Sequence, residues 1–235
     1  MKADADRQST APHREARIAA GLRALYALAL DLIFPPRCAC CGRVDTVLCA
    51  LCADDLIHGE IILLPSMPPI HSGAACGKHA GKLRSAIHAL KYESDHSAAK
   101  RLALPLSQRM AEVLAQLEWK IDIVVPVPLH TSRLRERGYN QSMLLGVHVA
   151  HQFDLPLVSD ALTRQRSTAS QVGRSGAERE RALKDAFTAQ PHLVKDKTLL
   201  LIDDVCTTGA TLRECAQAAL NARARQIKCL TLASA

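Results

Sequence analysis

Two adjacent carboxylates followed by a hydroxyl-rich turn, Asp203-Asp204-Val-Cys206-Thr207-Thr208-Gly209-Ala210-Thr211, are the strongest chemical signal in this chain. Neighbouring acids suit the two hydroxyls of a ribose, each carboxylate accepting one hydrogen bond. Gly209 lets the backbone approach a phosphate closely, and the hydroxyls of Thr207, Thr208 and Thr211 add donors around it. A nucleoside-triphosphate loop is the obvious competitor, but its Gly-Lys-Ser/Thr signature is missing here. The bland alternative is an ordinary turn with Asp at a strand end and Thr as a helix cap.

The flanking residues say what must position this group. Thr198 to Ile202 is a short apolar run of the kind found in a central parallel strand, and the acids are expected at its carboxyl end, where open α/β sheets bind ligands. Leu212, Cys215, Ala216, Ala219 and Leu220 recur at helical spacing. Residues 206–210 therefore turn the chain into a helix N-terminus, which offers unpaired N–H groups and a positive dipole to an anion.

A second cluster is built from cysteine. Cys38 and Cys41 form one CxxC pair and Cys49 and Cys52 another, with Gly42 placed for the tight turn of a zinc knuckle. Four thiolates would fill a tetrahedral zinc site and leave no position open for water, so the metal would be structural. Cys40 is an alternative first ligand, and four buried reduced thiols are the bland reading.

Between these clusters lies a basic stretch. From His130 to Arg181 there are eight arginines and no lysine, a choice that favours bidentate contacts to phosphate. Arg133, Arg135 and Arg137 alternate, so in an extended loop they share one face; Gly138 supplies a hinge for a lid, and a solvated basic loop is the alternative. Lys91 closes a helical stretch marked by Leu83, Ile87 and Leu90, where it serves either a phosphate or the helix dipole. A further helix is expected from Ala98 to Leu117, and a central strand over Ile121 to Val127. His148 and His151 have helical metal-ligand spacing, with no third ligand evident.

Composition sets the outer bounds. A chain of 235 residues with 48% hydrophobic content can bury the core of one medium α/β domain plus a small appendage. Only 3% of residues are aromatic, which argues against a surface built to stack single-stranded bases. The net charge of +7 points to anionic company, without separating phosphorylated metabolites from nucleic acid or lipid. Nine cysteines in clustered pairs favour metal over disulfides in a chain this long. Leu22 to Phe34 is apolar but interrupted by Arg23 and Asp31, too short and broken to span a bilayer, and is expected to be an amphipathic helix on the body or at a membrane surface. Pro65, Pro68, Pro69 and Gly73 make Ile61 to Cys76 a linker without regular structure.

The Asp-Asp-Val-Cys-Thr-Thr-Gly-Ala-Thr segment resembles the loop of type I phosphoribosyltransferases that binds 5-phosphoribosyl-1-diphosphate (PRPP). Val125-Pro-Val-Pro-Leu-His130, Arg133, Arg137-Gly-Tyr-Asn-Gln141, Leu90-Lys-Tyr92, Arg164, Thr168, Gln171, Arg179 and Ala186-Phe187, with the knuckle in front, narrow this to a resemblance to the ComF family over about residues 32–233. The resemblance implies Asp203 and Asp204 at the ribose 2′ and 3′ hydroxyls, Cys206 to Thr211 around the 5′-phosphate, and Mg2+ held mostly by substrate oxygens and water. Cys206 is then a loop residue and not a nucleophile. It also implies an association with DNA uptake in natural transformation, while naming no acceptor substrate. This chain departs from the family pattern in three places. Only Cys76 remains of a second cysteine set, Ala182 stands where Asn is expected, and Arg223-Ala224 replaces Gly-Ala after the last helix, so that Asn221 is expected to end it.

The expected architecture is a doubly wound parallel α/β sheet of the type I phosphoribosyltransferase kind behind a small zinc-ribbon segment. Residues 1–34 form a polar tail and amphipathic helix, 35–60 the knuckle pair, 61–71 a linker and 72–235 the phosphoribosyltransferase-like domain. The expected function is PRPP-dependent chemistry supporting DNA uptake or nucleotide metabolism, in the cytoplasm or at the inner face of the membrane. The alternatives are a PRPP-binding regulator without turnover and a single-stranded-DNA-binding accessory.

Overall fold

The computed structural model describes residues 35–93, 95–166 and 183–235. The stretch up to Phe34, and Thr168, Gln171, Arg179 and Ala182, lie outside the described residues. Strands β1 (Ile62–Leu63), β2 (Ser72–Ala75), β3 (Ile123–Pro126), β6 (Thr198–Cys206) and β7 (Gln226–Ser234) form one sheet in the order β1-β2-β7-β6-β3. Only the β1–β2 pair is antiparallel, so β2, β7, β6 and β3 all bring their carboxyl ends to the same edge. Strands β4 (Leu162–Arg164) and β5 (Phe187–Ala189) pair separately as a two-stranded ribbon.

The apolar run of β6 is continuous because both faces of the sheet are covered. Leu199 and Leu201 join a core with Phe187 and with Leu212, Cys215 and Ala216 of helix α7 (Ala210–Asn221). Leu200 and Ile202 point the other way, into a core shared by three helices: α2 (Gly81–Tyr92), α3 (His96–Leu117) and α5 (Gln141–Gln152). All four β6 side chains are fully buried, and each stabilises the fold by roughly 1.5–3 kcal/mol relative to exposure. Helix α3 presents Leu102, Leu106, Met110 and Val113 to this core at helical spacing, and Asp95 caps it by accepting from the N–H groups of Ser97 and Ala98.

Two local expectations give way and a third holds. The segment 61–71 is not free of regular structure: β1 pairs with β2, and Leu64, Met67 and Ile70 are buried beneath α7. Its prolines follow β1 rather than interrupting its ladder, so they cost no strand hydrogen bond. Thr131 to Arg137 is helix α4 instead of an extended loop, and Gly138, at φ +80°, is its left-handed C-cap rather than a lid hinge. Because α4 buries no side chain, it carries no apolar stripe for the sequence to reveal. As expected, α7 ends at Asn221; beyond it Arg223 takes the left-handed position at φ +68°, with the Ala224 N–H returning to the Ala219 carbonyl.

The amino-terminal module carries helix α1 (Ala50–Ile57), whose Leu56 enters the same core as α2 and α3. Arg109 of α3 donates to the Gly59 carbonyl, and Lys82 of α2 pairs with Asp55 of α1. Between α5 and β6 sits the short helix α6 (Pro191–Val194). Among the described residues no helix is long and apolar enough to cross a membrane.

Candidate functional site

Strand β6 continues past the end of its apolar run and carries the acid pair within it. Strand alternation sends the two acids to opposite faces of the sheet edge. Asp204 faces α2, where its Oδ2 lies 3.1 Å from Lys91 Nζ, an ion pair rather than an aligned hydrogen bond. On Asp203, Oδ1 accepts from Ser142 Oγ at 2.9 Å and from the Asp204 N–H at 2.9 Å. Both acids are buried, at 9% and 4% exposure, and they share one nearby lysine. Burial first, then the charge of Asp204, pushes the Asp203 carboxyl up to about 7, against the donors from Asp204 and Ser142 and the charge of Lys91. His79, in the loop after β2, is held below its usual value by burial and then by Lys91 and Arg84, so another titratable group borders the pair.

Beyond Cys206 the chain turns sharply. Thr207 and Thr208 are exposed, Gly209 adopts φ +72° as N-cap of α7, and Thr208 Oγ1 accepts from the Ala210 N–H at 3.4 Å. Arg213 Nη1 donates to the Thr208 carbonyl, fixing the turn from the helix side. A Cβ on Gly209 would stand 2.5 Å from Met67 Sδ, so this glycine answers to Met67 as well as to its own backbone. The Cys206 thiol is buried with its Sγ 4.0 Å from Met67 Sδ, and burial pushes its pKa up, which suits a packed side chain and not a nucleophile. Ala210 is buried and Thr211 half-buried at the start of α7.

The Arg-Gly-Tyr-Asn-Gln stretch serves as scaffolding for this pair. Tyr139 is buried and its single hydroxyl proton is shared between the carbonyls of Leu90 at 2.7 Å and Glu93 at 3.2 Å, pinning the end of α2 that carries Lys91. Asn140 caps α5 through the N–H groups of Ser142 and Met143 and donates to the Val127 carbonyl. Arg137 donates to Gln141 and lies over the Tyr92 ring. Tyr139, Asn140 and Ser142 lie in or beside a motif the sequence displays, but their mechanical roles depend on contacts across 49, 13 and 61 positions.

Arg133 and Arg137 fall one helical turn apart on α4 and line a groove of about 420 Å3 with Lys91, Tyr92 and Glu93. Arg135 also borders it but is the more exposed residue. Arg164 of β4 lies over Phe187 and within electrostatic reach of Arg133 and Asp203; burial lowers its pKa. Lys91 thus touches both Asp204 and the groove that Arg133 and Arg137 line, and Arg164 lies within electrostatic reach of both Asp203 and Arg133.

The cysteines form a separate centre. The Sγ atoms of Cys38, Cys41, Cys49 and Cys52 all lie within 4.8 Å of one another, and those of Cys41 and Cys49 are 3.7 Å apart. A tetrahedron with metal–sulfur bonds of about 2.3 Å has sulfur edges of about 3.8 Å, so the four thiols fit one zinc-sized ion. Gly42, at φ +75°, closes the first turn through its N–H to the Cys38 carbonyl. Cys40 packs against this cluster but is not one of the four clustered thiols; it donates to the Lys82 carbonyl, and burial pushes its thiol up to about 11. His148 and His151 form no such centre: among the described residues the cysteine group is the one cluster with metal-holding geometry.

A largely parallel sheet with a buried acid pair at a strand end, directly before a turn into a helix, stands in the stretch 101–235 that matches the model of the phosphoribosyl transferase domain. The chain belongs to this family and, within it, to the ComF proteins, as its relatives show. It is 32% identical to DNA utilization protein YhgH of Escherichia coli (strain K12) over 199 residues, covering 82% of this chain and 87% of that protein. It is 32% identical to Competence protein F of Haemophilus influenzae over 142 residues, covering 59% and 62%. Against Competence protein ComFC of Bacillus subtilis the identity is 24% over 204 residues, covering 83% and 76%.

Proposed function

We propose that this protein binds PRPP in the Asp203–Thr211 cradle and uses it in support of DNA uptake or utilization, the role that the relatives' names carry. The observation that carries the reading is the buried Asp203–Asp204 pair at the ligand-bearing edge of the sheet, directly before the turn into α7. In this reading Asp203 and Asp204 hold the ribose hydroxyls. The backbone N–H groups and hydroxyls of 206–211 hold the 5′-phosphate at the positive end of α7. Arg133, Arg137 and Lys91 face the diphosphate from the groove, and Arg164 borders the ribose.

The chemistry this arrangement supports is phosphoribosyl transfer. As diphosphate departs from C1, positive charge develops on the ribose, and the acid pair sits where it stabilises that charge. The arginines and Lys91 take the negative charge that accumulates on the leaving oxygens, so most of the rate enhancement comes from positioning and preorganised electrostatics. Asp203 and Asp204 are the chain's acids that would help to hold Mg2+, which would be bound mostly by substrate oxygens and water and would supply positive charge to the diphosphate. Cys38, Cys41, Cys49 and Cys52 would hold a structural zinc ion, with every coordination position taken by thiolate.

The test is calorimetric titration of PRPP with Mg2+, followed by assay of released diphosphate with a panel of nucleobases. Saturable PRPP binding that is abolished in Asp203→Asn with Asp204→Asn supports the cradle. Diphosphate release with one base identifies turnover. Absence of PRPP binding in the native protein overturns the reading.

A further inference from the structure

The cation nearest the acid pair is also a wall of the groove beside it. Lys91 Nζ sits 3.1 Å from Asp204 Oδ2, and the same side chain lines the cavity formed with Arg133, Arg135 and Arg137. Its backbone is fixed, because Tyr139 holds the carbonyls of Leu90 and Glu93 on either side of it. Its four-carbon stem is not: the side chain is 26% exposed, against 5% for Asp204. A lysine so placed has two positions available, one against the carboxylate and one turned into the groove.

Resting on the PRPP-binding reading, we infer that Lys91 is a counter-ion latch that selects a pentose phosphate bearing a C1 diphosphate over one with a bare C1 hydroxyl. A ribose hydroxyl that takes Asp204 must displace the ammonium from a nearly buried carboxylate. The displaced charge then faces a groove lined by three arginines against two carboxylates, Glu93 and Glu136, a net positive surface that disfavours a further cation unless an anion arrives there. A ligand carrying a diphosphate at C1 brings that anion, and Lys91 exchanges one carboxylate for phosphate oxygens. Ribose 5-phosphate takes the acid pair without supplying a replacement, so it bears the cost of breaking the ion pair. The latch therefore works by penalising the wrong ligand as much as by attracting the right one.

The experiment compares dissociation constants for PRPP and ribose 5-phosphate, both with Mg2+, in the native protein, Lys91→Met and Lys91→Gln. The glutamine variant keeps a donor for Asp204 without the charge and guards against a methionine variant that fails to fold. The expected result is a crossing: PRPP weakens by about tenfold or more while ribose 5-phosphate tightens by about threefold. Weakening of both ligands by the same factor would place Lys91 on the part they share and overturn the latch. Unchanged constants for both would make the ion pair purely structural and overturn the latch equally. A native protein that does not bind PRPP, whether or not it binds ribose 5-phosphate, overturns the PRPP reading and the latch with it, whereas PRPP binding in the native protein without the crossing in the variants overturns the latch alone.

Discussion

At the scale of single residues, the consequential group is Asp203, whose carboxyl is raised from 3.8 to about 7 by burial and by its neighbour. The folded state then keeps a proton that the unfolded chain has released, so this residue's contribution to stability is present below pH about 4 and is lost as pH rises toward 7. At about 1.36 kcal/mol per unit the full loss is at most about 4 kcal/mol. Asp203→Asn, which keeps an oxygen for Ser142, is expected to raise the melting temperature of the unliganded protein at pH 8, with the advantage vanishing near pH 4. Parallel pH profiles for the two proteins would contradict the assigned cause. Tyr139→Phe removes two carbonyl contacts at the end of α2. The one shared hydrogen bond contributes about 1 kcal/mol net, so chemical denaturation should show a loss of about that size, accompanied by weaker PRPP binding because Lys91 is no longer held in place.

Among the elements, the clearest consequence belongs to α4. Its helical form puts Arg133 and Arg137 together and makes Arg135 the more exposed member. Arg133→Ala or Arg137→Ala is expected to weaken PRPP about tenfold and ribose 5-phosphate less, while Arg135→Ala changes either by under about threefold, as a rim charge should. Titration of the three variants decides between this and an extended loop, in which all three would act alike. The same element shows where sequence reading stops. The β6 to α7 segment is legible because its apolar run, acids, glycine and helix stripe are contiguous and each declares its own conformation. A helix that buries nothing leaves no periodicity, so the sequence of α4 reads as a loop. The strand in the proline-rich segment is hidden for a related reason: β1 exists only because β2 lies beside it. The Ser142–Asp203 and Lys91–Asp204 contacts are products of the fold, and local residue types carry no trace of them. Gly209 teaches a narrower lesson, since Gly209→Val would collide with Met67 and strain the turn before it could test any phosphate contact.

For the whole molecule, the cysteine module and the sheet domain are mechanically one body. Leu56 lies in the core of α2 and α3, Cys40 is bonded to the first turn of α2, and Arg109 reaches back to Gly59. Cys49→Ser with Cys52→Ser should therefore do more than abolish zinc in elemental analysis. It should also lower the melting temperature of the entire protein in calorimetry, because a collapsed module strips cover from Leu56 and its neighbours. A separate early transition with an unchanged main one would show the two parts to be independent. The course of β7 has a practical corollary. Its last residues run out along the edge that holds the cradle, where the Ser234 N–H bonds the Gly77 carbonyl and the Ala235 N–H bonds the Cys206 carbonyl. Whatever is joined to Ala235 thus emerges at the mouth of the cradle: an affinity tag fused there would crowd the site, and a small fluorophore attached there would sit close enough to report its filling by a change in emission.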